Sequence, residues 1–170
     1  MQLAIKIESP ILRRYFISTL AKNQDGYCLS SRTATGTLIC AKARSCFRPI
    51  SVAKSQSIVF LSLPETAITK PLRGKFLYIT SRDELAINEM LLREFNLIFL
   101  EFMESGRSLA IRRKDLIEMF IAKYALEDIP SAFENLAKKH YRTNAYALRL
   151  FRKKLKKKQP PRHSPGRKKA

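Results

Sequence analysis

The side chains with the clearest chemical use are cations gathered in the last part of the sequence. No acidic residue follows Glu134, whereas residues 135–170 carry fourteen Lys or Arg. Because ammonium and guanidinium groups neutralise phosphates, this segment predicts a densely anionic partner, and nucleic acid is the first candidate. We expect ten of these residues to contact phosphate: Lys138, Lys139, Arg142, Arg149, Arg152, Lys153, Lys154, Lys156, Lys157 and Lys158.

Charge divides the whole chain into three blocks. Residues 1–80 sum to +9, residues 81–134 to −4 and residues 135–170 to +14, which together give the net charge of +19. The first block has only three acidic residues, so its loops predict a second phosphate-facing surface, with scattered solvated charge as the alternative. The cations of this surface are Arg32, Lys42, Arg44, Arg48, Lys54, Lys70, Arg73 and Lys75.

Three further patterns would give other binding modes. Residues 115–146 could form a helix-turn-helix that presents Asn135, Lys138, Lys139, Arg142 and Asn144 to DNA. However, the link between the two helices contains Pro130 and no Gly, unlike the tight turn of the DNA-binding motif, so an ordinary helical hairpin is the alternative. A stretch from Leu148 to Leu155 could lie on an anionic membrane, but it lacks Trp and its apolar face is small.

One strand bears a weak resemblance to a known module. Residues 73–79, with Phe76 and Tyr78, resemble the aromatic strand with which RNA-recognition modules stack bases. The order of the predicted elements differs from that module, which alternates βαββαβ. We therefore interpret Phe76 and Tyr78 as core or edge side chains that share one face of a strand.

Catalytic chemistry is poorly supported. The sequence has no glycine-rich phosphate loop, zinc-protease motif or nucleophile elbow. The tripeptide His140-Tyr141-Arg142 has residue types that a recombinase could use, and Asp83, Glu84 and Glu89 could hold magnesium. Helix capping and the exposed polar stripe of the helix explain these acids better. Cys28, Cys40 and Cys46 lack ligand or disulfide spacing and predict free thiols in a reducing cytosol. We therefore expect no enzyme, no metal and no cofactor.

The first 80 residues predict strands and one helix. Leu3, Ile5 and Ile7 alternate with other residues, which indicates a strand, and Ser9-Pro10 starts a helix to Ala21. Strand-like runs follow at residues 27–29, 37–41, 57–63 and 75–80, with a hydroxyl-rich loop over residues 30–36. These elements predict a small antiparallel sheet.

The second half predicts helices. A Ser81-x-x-Glu84 capping box opens a long helix that Gly106 should end, and helices over residues 112–125 and from Ser131 follow. The long helix is apolar over more than half its circumference from Leu85 to Met103. A core position explains this best, and a homo-oligomer seam is the alternative. The remaining residues, 159–170, predict a disordered tail.

These patterns combine into one interpretation. The fold class is α+β, with a basic β-rich region with one helix over 1–80, a helical region ending in a basic helix over 81–158, and a disordered basic tail over 159–170. The function is nucleic-acid binding in an accessory or regulatory role, with double-stranded DNA favoured over RNA and no membrane. The setting is a bacterial cytoplasm, nucleoid-associated or encoded by a mobile element. The alternative is a scaffolding protein whose basic tail screens nucleic acid.

Overall fold

The computed structural model of the protein describes residues 1–24, 26–49 and 55–143. Its secondary structure is α+β, as the sequence predicts. The chain divides into two compact units, Met1–Phe133 and Glu134–Ala170. The elements are β1 (Gln2–Lys6), α1 (Pro10–Ser18), β2 (Ala21–Asn23), β3 (Gly26–Cys28), α2 (Ala34–Lys42), β4 (Arg44–Cys46), β5 (Ile58–Ser62), a 3₁₀ helix (Lys70–Leu72), β6 (Phe76–Tyr78), α3 (Ser81–Ser108) and α4 (Arg113–Lys123). A further helix, α5, begins at residue 132 and is described to residue 143.

The strands form one four-stranded sheet and one two-stranded ribbon. In the larger sheet the order is β1-β5-β3-β2, and β4 pairs with β6 in the ribbon. The predicted antiparallel sheet is wrong in one pairing, because β3 and β5 run parallel while the other neighbours are antiparallel. Parallel strands need a long crossover, which the chain supplies through α2 and β4 between them.

The predicted alternation of β1 fixes which face of the sheet is buried. Leu3 lies opposite Leu61 and Ile5 opposite Val59 across the antiparallel pair. All four side chains are buried, whereas Phe60 on the other face is half exposed. Because successive side chains of a strand point to opposite faces, this register places one apolar face in the core.

Residues 34–42 form helix α2, so the predicted strand over residues 37–41 is wrong, and the described part of residues 1–80 contains two α-helices rather than one. Thr33 is the N-cap, and its hydroxyl accepts a hydrogen bond from the Gly36 amide at 3.0 Å. The Glu94 carboxylate of α3 accepts from the Thr35 amide at 3.0 Å and from its hydroxyl at 2.6 Å. A carboxylate at the N-terminus of a helix accepts hydrogen bonds from otherwise unpaired N–H groups and interacts favourably with the positive end of the helix dipole. The β-branched residues of α2 are therefore held helical by tertiary contacts.

Helix α3 supplies the largest part of the core. Its residues Ile87, Leu91, Phe95, Phe99 and Met103 recur every four positions and are all buried. The same helix contacts α1, α2 and α4, so residues on both sides of position 80 pack in one unit. The core interpretation of this helix is thus confirmed.

The ends of α3 differ from the predicted ones. Thr80 rather than Ser81 caps the helix, since its hydroxyl accepts from the Asp83 amide at 3.3 Å. Gly106 does not stop the helix, which continues to Ser108. A Cβ at position 106 would overlap the Leu116 side chain, so this glycine allows α3 and α4 to approach closely.

Other predicted elements are found with small shifts. Ser9 caps α1, where its hydroxyl accepts from the Leu12 amide at 3.4 Å, and the predicted strands over 27–29, 57–63 and 75–80 appear as β3, β5 and β6. Strands β2 and β4 were not predicted. The helical stretch over 148–155 and the disordered tail over 159–170 lie outside the described residues. Within residues 1–24, 26–49 and 55–143, no helix is long and apolar enough to cross a membrane.

Candidate nucleic-acid interface

Three of the ten predicted phosphate ligands lie on α5. Lys138 and Arg142 are exposed and stand one turn apart, so they share a face of the helix. Glu134, one turn earlier, pairs with Lys138 at 3.5 Å, and both side chains are more than 60% exposed. Exposed ion pairs contribute little to stability, so Lys138 can exchange Glu134 for a phosphate at small cost.

Lys139 differs from its two neighbours on α5. Its side chain is only partly exposed, and burial lowers its pKa. Burial disfavours the charged form of a lysine because the ammonium loses solvation. Lys139 is therefore a weaker candidate phosphate ligand than Lys138 or Arg142. The other seven residues, Arg149, Arg152, Lys153, Lys154, Lys156, Lys157 and Lys158, lie outside the described part of the chain.

The structure brings together a second group of cations that the sequence scatters over 30 positions. We call it the basic ribbon: strands β4 and β6 with their flanking residues 47–48 and 73–75. Antiparallel pairing sets Arg44 opposite Tyr78 and Cys46 opposite Phe76. Its cations are Arg44, Arg48, Arg73 and Lys75, all in exposed positions.

An exposed aromatic ring lies among these cations. Phe47 is 88% exposed, and the Lys75 ammonium lies 5.5 Å from the centre of its ring. Phe76, on the next strand, is 48% exposed. An aromatic ring beside cations is the composition with which proteins bind bases and phosphates together.

The base of the ribbon is fixed by a buried carboxylate. Asp83 is only 8% exposed at its side chain and pairs with Lys42 at 3.0 Å and with Arg44 at 3.4 Å. The Thr80 hydroxyl donates to Asp83 at 2.7 Å. This hydrogen bond and the Lys42 ammonium hold the pKa of Asp83 below its ordinary value. The carboxylate therefore ties α2, β4 and the start of α3 together.

The cations at the outer part of the ribbon are held more weakly. Arg73 pairs with Glu65 at 3.5 Å, with both side chains more than half exposed. The Cys46 thiol donates to the Arg48 carbonyl at 3.0 Å, which orders the backbone after β4 while the Arg48 side chain stays at the surface. Arg48, Arg73 and Lys75 thus offer positive charge that an anion can reach.

The hydroxyl-rich loop lies at a cavity rather than on the ribbon. The cavity has a volume of about 820 Å³, and its wall combines residues 30–35 with Tyr15, Leu91 and Ile98. Glu94 also lines it, and the contacts of Glu94 with Thr35 already satisfy the first turn of α2. Burial raises the pKa of Tyr15 to about 12, so this tyrosine stays neutral at physiological pH.

The residues weighed for catalysis do not converge. Asp83 is held by its cations, Glu84 accepts from the Lys6 amide at 3.2 Å, and Glu89 lies 4.0 Å from Arg93. His140, Tyr141 and Arg142 are consecutive on a helix, so their side chains diverge around its axis. Among the described residues, no group of three or more His, Cys, Asp or Glu is placed to hold a metal ion.

The cysteines are unpaired. Cys40 is buried in α2, whereas Cys28 and Cys46 are partly exposed. Cys40 is thus a small core side chain, and burial raises the pKa of its thiol.

The candidate that sequence reasoning missed is Phe47. Nothing in residues 44–46 has the alternation of a strand, so the ribbon was not expected. The one available signal was the placement of Phe47 between Arg44 and Arg48. By contrast, Phe76 and Tyr78 do share a strand face as predicted, but Phe76 is an exposed edge residue rather than part of the core.

No protein-family model, curated protein or solved structure matches the chain.

Proposed function

We propose that the protein binds nucleic acid, with double-stranded DNA as the main target and phosphate contacts as the main source of affinity. One observation carries this proposal: residues 135–170 hold fourteen cations and no acid. Two polyanionic strands supply a dense row of phosphates, and release of their counterions drives the binding of such a segment. Its role is accessory or regulatory, without an enzymatic step.

The geometry of α5 supports this assignment. Lys138 and Arg142 lie on one exposed face of the helix that leads into the cation-rich residues. Two cations on one face can contact a phosphate backbone without reading bases, because phosphate contacts position a protein but carry no sequence information directly. Partial burial of Lys139 restricts this face to the other two cations.

Salt dependence tests the proposal. A variant that lacks residues 149–170 should bind duplex DNA more weakly, and its plot of log K against log salt should be shallower by about 0.9 for each lost phosphate contact. The K138Q/R142Q variant should lower the slope by about 1.8 if both residues contact phosphate. Fluorescence anisotropy of a labelled duplex, measured over a range of salt concentrations, gives both quantities.

The chain offers a matched control for this experiment. Lys114 on α4 pairs with Glu118 at 3.7 Å, an exposed contact one turn away that resembles the contact of Lys138 with Glu134. The K114Q variant should leave affinity and slope unchanged. If the truncated protein keeps the affinity and slope of the full chain, the proposal is wrong.

A scaffolding role is the second candidate, and exposed apolar residues on α3 favour it. Leu85 and Leu97 are each 67% exposed and Leu92 is 41% exposed, although the same helix fills the core. Such residues could make subunit contacts over the segment from Leu85 to Met103. Light scattering distinguishes the roles: a monomer or dimer supports the DNA-binding proposal, and a large assembly that persists without nucleic acid supports the scaffold.

The proposed location is a reducing bacterial cytoplasm, at the nucleoid or in the context of a mobile element. Three unpaired cysteines in a short chain support a reducing compartment. The DNA partner supports association with the nucleoid.

A further inference from the structure

The outer end of the basic ribbon combines exposed apolar surface with positive charge. Single exposed hydrophobic side chains are common on protein surfaces and carry no function by themselves. At Phe47 the ring is 88% exposed, Lys75 lies over it at 5.5 Å, and exposed Arg48 follows it directly in sequence. A ring in this setting can stack on a flat π-system while the cations hold the charge attached to that group.

We propose that the basic ribbon is a binding site for single-stranded nucleic acid, in which an unpaired base stacks on Phe47 and the adjoining phosphates contact Arg48, Arg73 and Lys75. The inference rests on the proposed function and adds a second site with a different substrate preference. Every base offers a π-face, so the site should tolerate any sequence.

Charge complementarity selects nucleic acid as the occupant. The ribbon and its flanks present Arg48, Arg73 and Lys75, while the nearby Glu65 neutralises part of only one of them. Among the described residues, Asp83 is the other acid that pairs with a cation of the ribbon, and it is buried and already paired with Lys42 and Arg44. The outer end of the ribbon therefore keeps an excess of positive charge, which suits a chain of phosphates.

The exposed ring selects single strands over duplex. In a duplex the faces of each base are covered by the neighbouring bases, so a protein ring can stack on a base only if a base step is unstacked at a cost in free energy. In a single strand the faces are open. Phe76 is 48% exposed and lies across from Cys46, whereas Phe47 follows the end of β4 and has the Lys75 ammonium 5.5 Å from its ring centre. Phe47 is thus the ring that shares its side with Lys75.

The test compares Phe47 variants of the full chain on two labelled probes, an oligothymidine and a duplex of equal length. The F47A variant should bind the oligothymidine about 5- to 150-fold more weakly, which corresponds to the loss of one stacked base. Its affinity for the duplex should not change. The L109A variant is the control, because Leu109 is 73% exposed and lies outside the ribbon; its affinity for both probes should match that of the parent protein.

A second variant gives a direct signal from the stacking. The protein contains no Trp, so the F47W variant carries a single indole whose fluorescence reports on position 47 alone. The oligothymidine should quench this fluorescence at an affinity at least equal to that of the parent protein. The K75Q variant should lower the salt slope on the oligothymidine by about 0.7.

The outcomes separate the two proposals. If F47A binds the oligothymidine as tightly as the parent does, or if it weakens both probes equally, the stacking site is wrong while duplex binding through residues 138–158 can still hold. If F47A weakens only the single strand and truncation of residues 149–170 has no effect on the duplex, the ribbon site stands and the proposed function fails. If the parent protein binds neither the oligothymidine nor the duplex, both proposals are wrong.

Discussion

At the scale of single residues, Asp83 shows how one buried charge organises a surface of opposite sign. Its carboxylate accepts from Thr80 and pairs with Lys42 and Arg44, which come from different elements. A buried carboxylate would be costly without such partners. Its position one turn into α3 also places negative charge near the positive end of the helix dipole. The cation-rich ribbon is therefore attached to the body of the protein by an acid.

This arrangement predicts a defined pH dependence. The pKa of Asp83 is lower in the folded state than its ordinary value of about 3.8. Its contribution to the free energy of unfolding is therefore complete above about pH 3.8 and is lost as the pH falls through the pKa of the folded state. The D83N variant should be less stable than the parent at neutral pH, and the difference should shrink below pH 3.8. Urea unfolding followed by circular dichroism at several pH values measures this difference.

The control is the E118Q variant, which removes the exposed contact with Lys114. Its unfolding free energy should stay close to that of the parent at each pH, because exposed ion pairs contribute little. A D83N protein that is as stable as the parent at neutral pH would contradict the anchoring role of Asp83.

At the scale of elements, α3 and α4 are joined by a cluster of aromatic rings. Phe120 of α4 is fully buried, and its ring centre lies 5.0 Å from that of Phe99, 5.4 Å from that of Phe102 and 4.7 Å from that of Tyr124. The contacts with Phe99 and Phe102 are edge-to-face, a favoured geometry for aromatic pairs. Phe120 thus joins α4 to α3, together with the buried Leu116 and Ile117 of the same helix.

The F120A variant should lower the free energy of unfolding by about 3–5 kcal/mol, because it removes apolar contacts and leaves a cavity. The adjacent Met119 is 50% exposed, so the M119A variant is a control on the same helix and should change stability by less than about 1 kcal/mol. Thermal or urea unfolding of the two variants compares them directly. Equal effects would show that the ring cluster does not hold α4.

The link between α4 and α5 belongs to the same scale. Residues 124–131 separate α4 from α5, which is longer than the tight turn of about three to four residues in DNA-binding helix-turn-helix proteins. Ala125 in this link has a positive φ of 51°, which lies outside the right-handed helical region, so the chain turns here. The link is thus too long for the reader motif, and the phosphate binding proposed for α5 does not depend on that motif.

At the scale of the whole molecule, the net charge of +19 is unevenly distributed, with +14 in residues 135–170. Association of such a protein with polyanions should be rapid and strongly dependent on salt. The same charge should also retain cellular nucleic acid during purification at low ionic strength.

This retention gives a further prediction about the partner. Protein purified at low salt should carry nucleic acid that DNase removes and RNase leaves in place. Absorbance at 260 nm detects the contaminant well, because the chain has six Tyr and no Trp and absorbs weakly at 280 nm. Removal by RNase alone would reverse the preference for DNA, and material free of nucleic acid at low salt would contradict the polyanion partner.

The sequence by itself determined the features that depend on neighbouring residues. The alternation of Leu3, Ile5 and Ile7 gave a buried strand, Ser9-Pro10 gave the start of α1, and apolar spacing gave the core face of α3. It also determined the cation excess after Glu134, on which the proposed function rests. Periodicity and capping act over one turn or one strand, so these signals are local.

The tertiary structure alone decided the features that depend on distant partners. Helix α2 forms where β-branched residues suggested a strand, because Glu94, 59 positions after Thr35, caps its first turn. The parallel pairing of β3 with β5 and the ribbon of β4 with β6 join segments about 30 residues apart. The exposure of Phe47 depends on that ribbon, because only the folded structure determines whether this ring lies in solvent or in the core.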